Sequence, residues 1–268
     1  MHKLKMYIRQ FPKLYRFCLF IFHMLQPLCP RRFFRTIGGY LRFFKDILKY
    51  FTMDGSESFK LLNLRPALKD WTGEILVDQY YFYQDTWAAG KIIENVPEFH
   101  VDIGSTVLLV GILSKITRIC TVDIRSLPVS LENMEFRKGS VLELPFKDGE
   151  INSISSLCVI EHIGLGRYDD PLDPFGTYKA IKELSRVLEK GGNLYISVPI
   201  GENAEVYFNS YKIFKPEKFV SMFKGFKIVD TLFILEDRLC EMDEYLKLEK
   251  SPYKHRMIVG CFHFQKAK

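Results

Sequence analysis

The chain has no Cys-x-x-Cys pair, no run of about 20 apolar residues, no Gly-x-Gly-x-x-Gly and no internal repeat or low-complexity stretch. Each absence excludes something. Six cysteines (Cys18, Cys29, Cys120, Cys158, Cys240 and Cys261) lie scattered, so no ligand cluster has the spacing of a metal site. Reduced thiols are the simpler reading, with Cys120, Cys158 and Cys261 as small hydrophobes in apolar runs. The longest apolar candidate, Phe17 to Leu28, contains His23 and Gln26 and stops at about a dozen residues, too short to span a bilayer. No small-residue cleavage site follows the basic start, which argues against a signal peptide. The missing glycine fingerprint argues against a nicotinamide dinucleotide site.

Acidic residues are also missing from one place. Residues 1–50 hold eleven Lys/Arg and a single acid, Asp46, whereas the rest of the chain carries 27 basic and 31 acidic residues. The overall charge of +6 therefore belongs to the N-terminal segment, and an anionic partner belongs there too. Phe11, Leu14, Tyr15, Cys18, Leu19, Phe22 and Leu25 recur at helical spacing. After Pro27 and Pro30 the pattern resumes with Phe33, Phe34, Ile37, Leu41, Phe44, Ile47 and Leu48, flanked by Arg31, Arg32, Arg35, Arg42, Lys45 and Lys49. Two basic amphipathic helices of this kind suit an anionic membrane surface. The alternative is an arm packed on the following domain or on a second subunit. No nucleic-acid-binding module is recognisable. The expected division is residues 1–70 as a basic helical extension and 71–268 as an α/β domain, with Met53 to Glu57 as a polar turn cluster and linker. An apolar content of 47% over 268 residues suffices for such a core.

Strand signals dominate from Phe99 onward. Phe99 to Ser105 reads as a strand entering a tight turn at Gly104, followed by a helical stretch from Val107 to Ile116. Arg118 to Val122 is a second strand closed by Asp123. Leu144-Pro145-Phe146 and Asp148-Gly149 form a turn that feeds the apolar run Ile151 to Leu157. A helix from about Gly176 to Leu188 is stopped by Gly191-Gly192, and Leu194 to Val198 forms a strand ended by Pro199. Strand, helix, strand in this order builds a parallel sheet, whose ligands sit at the carboxyl ends of its strands. Cys158 to Asp170 falls there. Phe226 to Leu235 and Arg256 to Phe264 read as two further long strands.

This series resembles the S-adenosylmethionine-dependent methyltransferases of the Rossmann-like type, from roughly Tyr80 to Lys268. More narrowly, His100 to Ser105, Val122 to Arg125, Ser155 to Gly176 and Phe208 to Phe214 are similar to a bacterial methyltransferase-like family associated with surface-polysaccharide genes. The resemblance implies a seven-stranded, mostly parallel α/β sheet closed by an antiparallel pair, with S-adenosyl-L-methionine as cofactor. It implies cofactor contacts from Asp102, Gly104, Ser105, Asp123, Ile124, Ser140, Val141 and Leu157. The first loop would face the methionine part, Asp123 the ribose, and Ser140 the adenine edge. The first loop departs from the family pattern in having one glycine, and Ser140 replaces a common Asp.

His162, with an ordinary pKa near ~6.5, is the natural general base at such a site, with Glu161 beside it; a structural role for the pair is the alternative. Arg167 would meet an anionic acceptor or simply Asp169 or Asp170. Tyr83 and Gln84, ahead of a helix from Thr86 to Ile93, would belong to a lid, and Asn209 would line the acceptor side. The expected function is O-methylation of a sugar or glycan-linked small-molecule hydroxyl by a cytoplasmic, peripherally membrane-attached enzyme. The rival expectation is a catalytically inactive scaffold or binding protein of the same fold.

Overall fold

A computed structural model describes residue 21 and residues 30–68, 70, 73–235, 238–248 and 258–268. They fall into two compact units, divided between Leu76 and Val77. Apart from Ile21, the earlier of the two expected N-terminal helices lies outside the described residues.

The first unit is built on helix α1 (Pro30–Phe51). Its Phe43 and Ile47 face a cavity shared with Tyr50, Phe59 and Leu64, and Phe51 stacks on Phe59 with ring centroids 4.9 Å apart. Phe34, Ile37, Leu41, Phe44, Leu48 and Phe51 are exposed along the helix. Among the described residues, no helix is long and apolar enough to cross a membrane. The Met53 to Glu57 cluster lies within this unit.

The second unit opens with α2 (Gln79–Asn95), then β1 (Phe99–Ile103), α3 (Val107–Leu113), β2 (Arg118–Asp123), β3 (Met134–Lys138) and β4 (Ile151–Leu157). It continues with α4 (Gly176–Val187), β5 (Leu188–Ile200), the short strands β6 (Glu205–Tyr207) and β7 (Tyr211–Ile213), and α5 (Pro216–Ser221). It closes with β8 (Phe226–Ile234), β9 (Leu239–Cys240), α6 (Met242–Lys247) and β10 (Ile258–Lys266). One sheet runs β3-β2-β1-β4-β5-β10-β8-β9, parallel through β5 and antiparallel beyond it, while β6 and β7 form a separate hairpin. The sheet therefore has eight strands rather than the expected seven. The extra one, β9, pairs Leu239 and Cys240 with Ile234 and Phe233. Two residues are too few for an alternating pattern, so it leaves no mark in the sequence.

Three further expectations are corrected. Helix α2 begins at Gln79, not Thr86, because the Asp78 side chain accepts from the amides of Tyr80 and Tyr81 and caps it; the aromatic run is helical. The Gly191-Gly192 pair lies inside β5 instead of before it. Pro199 does not end that strand, since its carbonyl accepts from Phe214 and Val259 pairs opposite it.

Both sheet faces are covered, as parallel strands require. On one face Val101, Ile103, Val122, Ile154, Leu194 and Val198 pack with Ala180, Ile181, Leu184 and Val187 of α4. On the other, Ile119, Leu157 and Tyr195 meet Ala88 and Ile92 of α2 and Leu109, Val110 and Leu113 of α3. Past β5, Phe262 is fully buried among Phe219, Phe233 and Phe264, with centroids 5.2, 5.6 and 5.8 Å away. Phe262→Ala should cost about 3–5 kcal/mol of stability by lost burial and a residual cavity, read from the midpoint of urea unfolding; a loss under about 1 kcal/mol would mean that this aromatic cluster is not closely packed.

Candidate active site

Strand order reverses between β1 and β4, which places a crevice at the carboxyl ends of β1, β2 and β4. Gly104, directly after β1, has φ +65° and donates to the Val122 carbonyl at 3.0 Å. A Cβ there would lie 3.4 Å from Val159 and 3.8 Å from the Asp123 carboxylate, so the left-handed turn and close approach both favour glycine. Asp102, fully buried, accepts from the Ser105 amide (3.1 Å) and the Ser155 hydroxyl (2.6 Å). Burial raises its pKa to about 6 against the lowering effect of those bonds. The Ser105 hydroxyl accepts from the Leu157 amide, tying the turn to β4.

Asp123 ends β2 next to Ile124. Burial would raise its pKa, but bonds from the Arg125 side chain and amide hold it below the usual range. Arg125 binds both carboxylate oxygens (3.0 and 2.8 Å) and its guanidinium lies 4.8 Å from the Tyr168 ring centroid. Sequence reasoning took Asp123 as a free ribose acceptor and missed this partner two residues away. Ser140 and Val141 follow β3; the Ser140 hydroxyl accepts from Leu142, and Val141 is buried. Leu157 packs its side chain into the apolar cluster with α2 and α3, so only its backbone faces the turn.

A cavity of about 150 Å³ opens beyond β4, lined by Tyr81, Cys158, Glu161, His162, Arg167 and Tyr211 among others. That volume holds the reacting end of a molecule, not a whole drug-sized ligand. Cys158 sits at φ +52°, an outlier for a side-chain-bearing residue, and turns the chain out of β4. Its amide is held by both the carbonyl and the hydroxyl of Ser197 (each 3.0 Å). Glu161 is 1% exposed and its Oε2 has no hydrogen-bond partner among the described residues. Burial pushes its pKa up to about 8, so the side chain is neutral at pH 7. Its Oε1 lies 3.7 Å from His162 Nε2. Burial lowers the His162 pKa to about 4. The Ser210 carbonyl takes the Nδ1 hydrogen, which leaves the Nε2 lone pair as the acceptor, with Arg167 Nη1 3.4 Å from it.

Arg167 donates to the Ser210 carbonyl at 3.2 Å and stacks 5.0 Å from the centroid of Tyr168. It forms no ion pair with Asp169 or Asp170; Asp170 instead accepts from the Gly164 and Tyr168 amides. Gln84 is 1% exposed, with Oε1 accepting from Ser197 (2.7 Å) and Cys158 (3.1 Å). Tyr83 stands outside the cavity lining, where Tyr80 and Tyr81, on the first turn of a helix beginning at Gln79, take its place. Asn209, at φ +59°, spends its amide on the carbonyls of Leu165 and Gly166 and closes the β6–β7 turn. No group of three His, Cys, Asp or Glu among the described residues is placed to hold a metal.

Solved structures share this architecture. The Burkholderia thailandensis 1,6-didemethyltoxoflavin-N1-methyltransferase, with bound 1,6-didemethyltoxoflavin and S-adenosylhomocysteine, aligns at TM-score 0.52 and 13% identity, over 71% of this chain and 80% of that one. The [4+2]-cyclase SpnF aligns at TM-score 0.50 and 14% identity, over 68% and 80%. With the strand order, these likenesses define the α/β fold of Rossmann-like methyltransferases. The chain itself belongs to the family described as "Caenorhabditis protein of unknown function, DUF268", whose model matches residues 118–259. Comparison with curated proteins gives no match.

Glu161 supplies a stability signature. Its proton is lost in the unfolded chain near the ordinary carboxyl value of 4.5 but retained in the folded one to about 8. Its contribution is thus fully present below about pH 4.5 and lost as pH rises through 8. Glu161→Gln should flatten the fall in stability across that window, measured by urea unfolding at a series of pH values. An unchanged profile would mean that Glu161 is already ionised near neutrality.

Proposed function

We propose that the second unit is an S-adenosyl-L-methionine-dependent methyltransferase acting on a hydroxyl of a small molecule, with a sugar or glycan-linked hydroxyl as acceptor. One observation carries the reading: the left-handed turn at Gly104 packs against the Asp123 carboxylate and Val159, two residues before Glu161, whose unpartnered oxygen belongs to the residues lining the cavity beyond β4. The residues suit the cofactor, because a left-handed glycine and a buried acid form the turn after β1, a second acid ends β2 beside it, and an orphaned carboxyl oxygen follows β4, the next strand in the sheet. Asp102, Gly104 and Ser105 would hold the methionine part, Asp123 and Ile124 the ribose, and Ser140 and Val141 the adenine. S-adenosylhomocysteine, bound in the toxoflavin methyltransferase, is the demethylated form of this cofactor. When bound, the cofactor supplies an electrophilic methyl on a sulfonium.

The chain's own task is then alignment and proton removal. His162 is neutral above about pH 4 and lines the cavity, where its Nε2, once released by the Arg167 guanidinium 3.4 Å away, takes the acceptor's hydroxyl proton. Neutral Glu161 donates a hydrogen bond or, opposite a cation, yields its proton. Arg167, without a carboxylate ion-pair partner among the described residues, suits an acceptor carrying phosphate, such as a nucleotide- or lipid-linked saccharide.

Arg125 favours a second reading. It occupies the Asp123 carboxylate as a ribose would, consistent with a scaffold that no longer takes the cofactor. Calorimetric titration with S-adenosylhomocysteine separates the two. The enzyme reading expects micromolar binding that weakens by roughly 10–100-fold in Asp123→Ala, from loss of charge-assisted hydrogen bonds. No heat from the native chain would leave the scaffold reading.

For α1 we propose attachment to the cytoplasmic face of an anionic membrane. Phe34, Ile37, Leu41, Phe44, Leu48 and Phe51 follow helical spacing and are all exposed, with Arg42, Lys45 and Lys49 on the same helix. Each basic residue near such a surface contributes on the order of 1 kcal/mol, attenuated by salt. Deleting residues 1–50 should abolish co-sedimentation with anionic vesicles, and raising salt should weaken the intact chain's binding only in part. Equally negligible pelleting of both proteins would remove the membrane and leave a packed arm.

A further inference from the structure

Beneath α2, the sheet carries a line of buried polar side chains that none of the foregoing uses. His100 on β1 is fully buried between two serines of β4, with Nδ1 2.8 Å from the Ser153 hydroxyl and Nε2 2.9 Å from the Ser155 hydroxyl. Ser155 in turn donates to Asp102 at 2.6 Å, and Asp102 receives the Ser105 amide on its other oxygen. All five residues lie on consecutive positions of one polar path ending at the turn after β1.

The path has a direction. A hydroxyl has one hydrogen, and Ser155 gives its hydrogen to the Asp102 carboxylate. Ser155 must therefore accept from His100, which puts the imidazole hydrogen on Nε2. Nδ1 is then an acceptor, and Ser153 donates to it. If Asp102 takes a proton, every bond reverses: Asp102 donates to Ser155, Ser155 to Nε2, and Nδ1–H to Ser153. Burial keeps the ring from charging, since it lowers the His100 pKa to about 3, so the ring answers by changing tautomer.

We propose that His100, acting through Ser155, is the positioning residue for Asp102: in its Nε2–H form it directs the Ser155 hydroxyl onto the carboxylate, which keeps the turn Gly104–Thr106 in its ligand-ready arrangement. The consequence for cofactor binding rests on the methyltransferase reading; the tautomer coupling does not. Other groups face this path without joining it. Asp85 of α2 raises the Asp102 pKa electrostatically, Cys120 of β2 interacts with the same carboxylate, and the Tyr195 ring of β5 lies 6.3 Å from the imidazole.

Histidine ¹⁵N NMR on the full chain tests it. At mildly alkaline pH His100 should show the Nε2–H pattern, changing to Nδ1–H as pH falls through Asp102's midpoint near 6. An Nδ1–H ring at alkaline pH, or a tautomer that ignores the Asp102 titration, overturns the proposal. In Ser155→Ala the Asp102 midpoint should rise by about one pH unit, and S-adenosylhomocysteine should bind about tenfold more weakly near pH 6.5, recovering in alkali. Ser155→Thr should retain native behaviour in both measurements. A uniform, pH-independent loss of affinity in Ser155→Ala would indicate a merely structural serine and sink the positioning role. If the native chain binds no ligand at any pH, the methyltransferase reading fails, while the tautomer measurement still decides the coupling.

Discussion

Helix α2 can lie across the sheet only because the polar groups between them are paired. Gln84 and Asp85 bear most of that burden. Gln84 is buried against strands β4 and β5 through Cys158 and Ser197, and its amide donates to Asp85 at 3.2 Å. Asp85 accepts from the Thr106 hydroxyl at 2.6 Å, which also caps α3. Two adjacent side chains thus tie the covering helix to the turn after β1, to the end of β4 and to the middle of the sheet. A buried amide that lost these partners would cost more than an apolar replacement gains, so α2 has one docking position. The crevice and the cavity are both consequences of it.

That docking also explains the electrostatics. Closing α2 over the strand ends removes water from Asp102, Glu161 and His162, and each moves toward its neutral form. Asp123 moves the other way, because it stays partly open and Arg125 lies against it. The site therefore combines two buried acids with raised pKa values, a histidine held neutral and one acid kept ionised. Such a spread of protonation states in one crevice is what proton-handling chemistry uses, and it arises here from burial more than from charge pairs.

Much of this was legible in the sequence where the signal is local. Gly104 after a strand, Asp123 closing the next, and the apolar run from Ile151 to Leu157 lie where patterning puts them. Boundaries failed where a side chain outside the pattern intervened: the Asp78 cap drew Tyr80 to Tyr83 into α2, and the hydrogen-bonding of Pro199's carbonyl let β5 run on. The pairing of Arg125 with Asp123 lay within two residues and was missed because a side chain's direction after a strand is not periodic. The His100–Ser155–Asp102 path was illegible for a different reason. Its serines are 53 and 55 residues from His100, and strand register alone brings them together. Within β4 the serines were read only as part of the run Ile151 to Leu157, with no sign of their partner on β1.

The central claim is that one crevice, bounded by the turn after β1 and the end of β4, receives an adenosyl ligand with its sulfur directed at Glu161. A crystal structure of the full chain grown with S-adenosylhomocysteine tests it most directly. The account predicts the ribose hydroxyls on Asp123 with Arg125 turned aside or sharing the carboxylate, the amino-acid end against Gly104 and Ser105, and the sulfur at the mouth of the cavity lined by Glu161 and His162. An empty crevice at saturating ligand, or a ligand bound elsewhere while Arg125 still grips Asp123, would contradict it.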